Sequence, residues 1–117
     1  MICTLFIPTW HPATTNQLLD NRWKAARLKR SDREMVTWYC RITKMPYATG
    51  IRRVNLTIVL KPGQRAADPD AYWKSSLDAL VHAGMLVDDN RQHVELMPAR
   101  FERSTEWGTR VVFEDLH

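Results

Sequence analysis

Cysteine and glycine are scarce in this chain, and each scarcity excludes a class of site. Cys3 and Cys40 are its only cysteines, and they belong to no CxxC pair or Cys/His cluster. This pattern argues against a zinc site and a disulfide framework, and it predicts two buried or idle thiols. The four glycines form no GxxxxGK[ST] motif, so a phosphate loop of that type is absent from the sequence.

Long apolar runs are also missing. The longest, at residues 57–60 and 83–87, are far shorter than the roughly 20 residues that cross a bilayer as a helix. The first seven residues lack the positive leader and the small-residue cleavage site of a secretory signal. These features predict a soluble, cytoplasmic protein that contacts no membrane.

The length and composition are those of one folded domain. Of the 117 residues, 44% are hydrophobic and 26% are charged, which is ordinary for a globular protein. A chain of this size buries a modest core without disulfides or metals. We therefore expect a single domain over residues 1–117.

The positive charge is concentrated in the first two thirds of the chain, whereas the acidic residues gather at 68–89 and 102–115. The net charge is +4. Basic clusters of this kind are the footprint of proteins that bind phosphate backbones, although a solvated helix face is the alternative. The basic residues in question are Arg22, Lys24, Arg27, Lys29, Arg30, Arg33, Arg41, Lys44, Arg52, Arg53, Lys61 and Arg65.

Hydrophobic periodicity predicts an α+β fold in which two main helices pack on a mixed β-sheet. Strands are expected at residues 2–8, 54–60, 92–97 and 109–114, and helices at 31–44 and 70–83. A polar loop is expected over residues 11–16.

The helix over 31–44 is predicted from its own start signal. Ser31 and Glu34 have the spacing of a capping box. Three- and four-residue spacing would bury one face of this helix, formed by Met35, Trp38, Tyr39 and Ile42. The helix over 70–83 would bury Trp73, Leu77, Leu80 and Val81, and Gly84 would end it.

Five carboxylates and one lysine lie between positions 68 and 89, around the second predicted helix. Asp68 and Asp70 stand where the helix begins, so either one is also a candidate N-cap. Capping does not explain Asp88 and Asp89, which follow Gly84 and a short apolar run. If the chain returns there beside the strand ends, Asp68, Asp70 and Asp89 converge, and a divalent cation would neutralise their repulsion.

Lys74 has two interpretations. It lies four residues from both Asp70 and Asp78, so it is placed for helical ion pairs worth a few tenths of a kcal/mol. Its ammonium could instead stabilise negative charge on a phosphate that is being cleaved, but the spacing alone favours the ion pairs.

This segment resembles the signature of the RusA family of Holliday junction resolvases. In that family an Asp-x-Asp-Asn-x-x-Lys segment leads into a helix containing Asp-Ala-Leu, and a later glycine precedes an Asp-Asp pair. The dense match covers about a fifth of this chain, and the family's opening Pro-Pro-Ser-x-Asn loop is loosely echoed at residues 11–16. The matching residues are Asp68, Asp70, Lys74, Asp78, Ala79, Leu80, Gly84, Asp88 and Asp89.

The resemblance implies a small homodimeric, Mg²⁺-dependent endonuclease that cuts opposite strands of a four-way DNA junction, in a bacterial or phage-infected cell. By position, Asp68, Asp70 and Asp89 would bind the metal and Lys74 would be the catalytic lysine. Asp78 and Asp88 would support them. DNA phosphates would be contacted by Asn16, Arg22, Lys24, Arg27, Lys29, Arg30 and Arg65, with Arg33, Arg52 and Arg53 along the same path.

One departure from the family pattern bears on activity. Ala71 stands where the family has asparagine, which removes a side-chain amide beside the expected metal site. A non-catalytic protein that binds branched DNA through a degenerate site is therefore the alternative function. A hydrolase of small phosphorylated substrates is a further alternative, but it leaves the basic stretch at 22–33 unexplained.

The remaining aromatic and histidine residues carry weaker signals. Trp10, Trp23 and Trp107 lie in irregular sequence, where a surface or interface role competes with stacking on an unpaired base. The histidines show no ligand spacing and are expected to be structural or on the surface: His11, His82, His93 and His117.

Overall fold

Strand β2 is the centre of the sheet because three other strands pair with it, and its alternating apolar residues face a helical layer. The computed structural model describes residues 1–116, and the prediction for His117 lies outside them. The strands are β1 (Ile2–Pro8), β2 (Arg52–Leu60), β3 (Val94–Leu96), β4 (Arg100–Arg103) and β5 (Gly108–Asp115). The helices are α1 (Thr15–Asp20), α2 (Arg22–Ile42) and α3 (Trp73–His82), and a 3₁₀ turn (Pro69–Tyr72) leads into α3.

The sheet is mixed, as the α+β prediction requires. β5 pairs antiparallel with both β1 and β2, whereas β3 and β4 pair parallel with the two ends of β2. Arg52 lies opposite Val94 at the start of β2, and Leu60 lies opposite Arg103 at its end. The helices cover one face of this sheet, where the core is formed by residues such as Leu5, Ile58 and Phe113.

Helix α2 begins nine residues earlier than its predicted start. Its N-cap is Asn21, whose Oδ1 accepts hydrogen bonds from the backbone N–H groups of Trp23 and Lys24. The predicted capping box at Ser31 is therefore wrong. Asp32 lies in the middle of the helix, and its carboxylate bonds to other elements instead of to its own helix.

The buried face of α2 also differs from the predicted one. Asp32, Val36 and Cys40 are buried, and Met35 and Tyr39 are partly buried as expected. Trp38 and Ile42 were expected in the core, but they are 61% and 53% exposed. At 100° per residue they lie on the opposite side of the helix from Val36 and Cys40, which decides the outcome.

Two short elements have no clear pattern in the sequence. Helix α1 occupies part of the predicted polar loop, and a capping box between Thr14 and Gln17 starts it. All four residues of β4 are exposed, so it has no apolar alternation, and it forms only because it pairs with β2. The strands predicted at 92–97 and 109–114 are confirmed, as is the end of α3 at Gly84, where φ is +81°.

The guanidinium of Arg52 is buried at the end of the sheet, with 2% of the residue exposed. It donates to the Asp115 carboxylate at 2.8 Å, to the Met85 carbonyl at 2.9 Å and to the Pro46 carbonyl at 3.0 Å. These bonds fasten the segments that follow α2 and α3 to the sheet. The prediction that Arg52 lies along a DNA path is therefore wrong.

Replacing Arg52 with alanine should lower the free energy of unfolding by about 3–5 kcal/mol, because it removes a buried guanidinium that pairs with the Asp115 carboxylate and donates to the Met85 and Pro46 carbonyls. Urea denaturation measures this loss. Arg53→Ala is the matched control. Its partners Glu95 and Glu114 are well exposed, so its loss should stay within about 1 kcal/mol. Equal losses in the two variants would contradict this account.

Candidate nucleic-acid and metal site

Helices α2 and α3 run side by side in the same direction, and two polar contacts set their register. Asp32 of α2 bonds to Ser75 of α3, and Arg33 of α2 bonds to Asp78 of α3. From Arg22 to Asp32 the helix rises about 15 Å. The N-terminal half of α2 therefore extends past the start of α3, towards the end of the domain where Asp68 and Asp70 lie.

Asp32 joins three parts of the chain. Its Oδ2 accepts a hydrogen bond from the Ala13 backbone N–H at 2.8 Å and another from the Ser75 hydroxyl at 2.6 Å. Burial raises the pKa of this carboxyl, and the bonds from Ala13 and Ser75 oppose that rise. No motif in the sequence singles out this residue, because the spacing of the neighbouring Ser31 and Glu34 predicts a helix cap.

Arg33 and Asp78 form a bidentate ion pair, with Nε–Oδ2 at 2.8 Å and Nη2–Oδ1 at 2.9 Å. Hydrogen bonding from Arg33 holds the pKa of Asp78 below its usual value. This pair gives Asp78 a structural role between the helices, which is compatible with the supporting role predicted for it. It also commits Arg33 to the protein itself instead of to a DNA path.

Lys74 is exposed at the first turn of α3. Neither of the ion pairs that its spacing allows, with Asp70 or Asp78, is formed, and within residues 1–116 its ammonium makes no hydrogen bond. The structural interpretation of Lys74 is therefore not realised. Its charge remains available to a ligand.

Asp68 and Asp70 flank Pro69 at the 3₁₀ turn, and both are exposed. Asp68 occupies the N-cap position but its side chain makes no capping hydrogen bond, and only its carbonyl accepts from Ala71. The N-cap interpretation of this aspartate is therefore wrong. Two solvated carboxylates two residues apart suit Mg²⁺, which is usually held by one or two carboxylates together with water and substrate phosphate.

Asp89 does not join them. It lines a groove with Ile51, Val94 and Leu116, beside the first residue of β2. The 3₁₀ turn lies beyond the other end of β2, where Tyr72 packs against Phe101 of β4. Since β2 spans about 26 Å, the predicted convergence of Asp68, Asp70 and Asp89 is wrong within one chain. Within the described part of the chain, no three Asp, Glu, His or Cys residues are grouped closely enough to hold a metal.

Asp88 contributes to a local turn next to Asp89. Its carboxylate accepts from the backbone N–H of Asp89 at 2.7 Å and from the side-chain amide of Asn90 at 3.3 Å. The segment after α3 thus leads into β3 instead of returning to the start of α3. The apolar run Met85–Val87 gave no indication of this direction.

The predicted DNA contacts divide into two groups. Most of them are solvent-facing on α1, on the N-terminal half of α2 or in the loop after β2, and Lys24 pairs with Asp20 at 3.2 Å. Asn16 lies in α1 next to the 3₁₀ turn, because the Thr15 hydroxyl donates to the Ala71 carbonyl. Arg53 is engaged by Glu95 and Glu114. In this group Asn16, Arg22, Arg27, Arg30 and Arg65 are exposed, and Lys24 and Lys29 are partly exposed.

Comparison with models of known protein families gives no match, and comparison with curated proteins gives no significant match.

No helix among residues 1–116 is both long and apolar enough to cross a membrane. The thiol of Cys40 is buried, which raises its pKa to about 11, so it is a neutral core group at physiological pH.

Asp78→Asn should lower the free energy of unfolding at pH 7 by about 1 kcal/mol, since a bidentate but partly exposed ion pair is lost. The stability from a carboxyl with a lowered pKa is present above its unfolded value of 3.8 and is lost as the pH falls through the folded value. The difference between wild type and variant should therefore shrink below pH 3.8. Urea denaturation between pH 7 and pH 3 measures it.

Glu102→Gln is the control for that experiment. Glu102 pairs with Arg110 through one contact at 2.9 Å and is half exposed, so its replacement should change stability by only a few tenths of a kcal/mol. A pH-independent loss in Asp78→Asn would mean that packing, not charge, explains its effect.

Proposed function

We propose that this protein is a Mg²⁺-dependent endonuclease that cuts four-way DNA junctions. The observation that carries the proposal is the state of Asp68, Asp70 and Lys74. These three charged side chains lie together at the start of α3, exposed and without a polar partner within residues 1–116. By contrast, Arg33 and Asp78, which lie further along the same two helices, pair with each other.

The surroundings of this group support DNA as the substrate. Arg22, Arg27 and Arg30 lie on the half of α2 that projects past the start of α3. Cations on a projecting helix suit phosphate contacts, which position a duplex without reading its sequence. The resemblance to the RusA family adds the four-way junction as the particular substrate.

Asp68 and Asp70 would hold the ion. When bound, Mg²⁺ supplies charge neutralisation at the phosphate and makes a water molecule more acidic. Lys74 lies one helical turn from Asp70, so its ammonium offsets the negative charge that develops on the phosphate oxygens during attack. Water adds to phosphorus, the bond to the 3′ oxygen breaks, and the products are a 3′-hydroxyl and a 5′-phosphate.

A homodimer fits this reaction. A two-fold symmetric protein presents two equivalent sites, and a four-way junction offers two equivalent strands. Paired cuts at those strands would resolve the junction into two nicked duplexes. Asp89 lies far from the other carboxylates of its own chain. If it takes part in cleavage, it must therefore come from the second copy in the dimer.

A non-catalytic protein that binds branched DNA is the second candidate. Two observations favour it: Asp89 lies at the far end of β2 from Asp68 and Asp70, and alanine occupies position 71. The basic half of α2 would serve this function equally well, so cleavage is what separates the two candidates.

Purified protein with Mg²⁺ should make paired, symmetric nicks in a labelled synthetic four-way junction and leave a matched linear duplex intact. EDTA should abolish the nicks. Asp70→Asn should reduce the cleavage rate about 100-fold or more, and Lys74→Ala by a similar factor, because each removes charge that acts on the reacting phosphate. Glu106→Gln, an exposed carboxylate far from α3 in sequence, should cleave like wild type.

Binding without cleavage in wild type would establish the second candidate instead. If the wild type does cleave, Asp89→Asn separates an endonuclease that uses Asp89 from one that does not. Unchanged cleavage means that two carboxylates suffice, whereas lost cleavage means that Asp89 enters the site from a second copy. Light scattering on the same samples gives the molar mass.

A further inference from the structure

A cavity of about 500 Å³ lies between the C-terminal ends of α2 and α3. Because the two helices run in the same direction, this cavity is at the opposite end of the helical layer from Asp68 and Asp70. Its volume is within the range of small-molecule sites. Its lining comes from the last turns of both helices and the segments that follow them: Thr37, Cys40, Arg41, Lys44, Met45, Tyr47, His82, Ala83, Gly84 and Met85.

The two charged residues of the lining, Arg41 and Lys44, are both cations. Arg41, Lys44 and His82 surround the cavity, and none of the described residues that line it is acidic. Within residues 1–116 none of these three side chains forms an ion pair or a hydrogen bond. The nearby Asp78 carboxylate is already engaged by Arg33. Three unpaired cationic or donor groups around one cavity are suited to an anion.

Cations at helix C-termini also interact favourably with the helix dipole, which is the competing explanation. The carbonyls at these ends already have partners, however. Met45 N–H bonds to the Cys40 carbonyl at 2.9 Å, and Met85 N–H bonds to the Leu80 carbonyl at 2.9 Å. The two helices thus end with the same backbone motif and differ in the residue at its left-handed position.

Lys44 occupies that left-handed position after α2, with φ at +54°, whereas Gly84 occupies it after α3. Glycine is the residue that adopts this conformation without steric cost, so a lysine there strains the backbone. Strain of this kind at the rim of a cavity points to a function for the side chain. A lysine within the last turn of α2 would interact with the helix dipole equally well, and its backbone would not be strained.

The rest of the lining is apolar and aromatic. Cys40, Met45 and Met85 provide an apolar surface. The ring of Tyr47 rests on Gly84, where an added Cβ would lie 2.6 Å from its Cδ1, and the residue remains 69% exposed. The Thr37 hydroxyl is buried and has no hydrogen-bond partner within residues 1–116. A flat, partly apolar group with a polar edge would pack on the Tyr47 ring and give the Thr37 hydroxyl a hydrogen-bond partner.

We propose that this cavity binds a nucleotide 5′-phosphate, with the phosphate at Arg41 and Lys44 and the base against Tyr47. The Thr37 hydroxyl then bonds to a polar atom of the ligand. The nucleotide is either free or the 5′-phosphorylated end of a DNA strand. This inference does not depend on the proposed nuclease activity, because it concerns the other end of the helices and needs no metal.

Calorimetric titration with deoxyadenosine 5′-monophosphate in EDTA tests the proposal. Wild type should bind, and Lys44→Gly should bind at least tenfold more weakly while its urea midpoint stays the same or rises, since glycine relieves the strain. Thr9→Gly is the matched control. Thr9 also has a positive φ, +53°, but does not line the cavity, so this variant should bind like wild type.

Tyr47→Ala and a DNA competitor identify the ligand further. Inorganic phosphate alone should bind wild type more weakly than the nucleotide does. Tyr47→Ala should lose affinity for the nucleotide but bind inorganic phosphate like wild type. Displacement by a 5′-phosphorylated duplex, and not by its 5′-hydroxyl form, assigns the site to strand ends, and no displacement assigns it to the free nucleotide. No binding by wild type, or equal binding by Lys44→Gly and wild type, would overturn the proposal.

Discussion

The buried guanidinium of Arg52 is the interaction on which the arrangement of helices and sheet depends. It lies at the first residue of β2 and bonds to Asp115 at the end of β5 and to carbonyls after α2 and after α3. Its charge is neutralised by a carboxylate that is itself mostly buried, and its guanidinium lies over the Phe113 ring, 5.4 Å from the centroid. Burying a charge is costly unless hydrogen bonds satisfy it, so the geometry of all three segments is constrained together.

A second set of polar contacts sets the register of the helices. Asp32 holds Ala13 and Ser75, and Arg33 holds Asp78, so α2 and α3 are fixed in parallel about halfway along α2. One consequence is that most of the first half of α2 extends past the start of α3 and presents basic residues such as Arg22 and Arg27 to solvent. The other is that both C-terminal ends meet at Arg52 and enclose the cavity lined by Arg41 and Lys44.

The two ends of the helical layer therefore differ in their chemistry. Around the start of α3 there are two free carboxylates, a free lysine and a projecting basic helix, an arrangement suited to a metal ion and a phosphodiester. Around the C-terminal ends there are cations, an exposed tyrosine and an apolar surface, without carboxylates in the lining. The two sites proposed here would accept related ligands, a DNA backbone at one end and a nucleotide phosphate at the other.

The sequence by itself determined the α+β class, strands β1, β2, β3 and β5, and the end of α3 at Gly84, because apolar alternation and glycine conformation act over a few residues. It also singled out Asp68, Asp70 and Lys74. Local patterns misplaced the start of α2, because the capping-box spacing of Ser31 and Glu34 falls inside the helix, whereas the residue that caps it is Asn21. Only the tertiary structure decided that Arg52 is buried and that Asp89 lies beside the first residue of β2. Both depend on where a strand finds its partners, and a strand's pairing is a property of residues far apart in the chain.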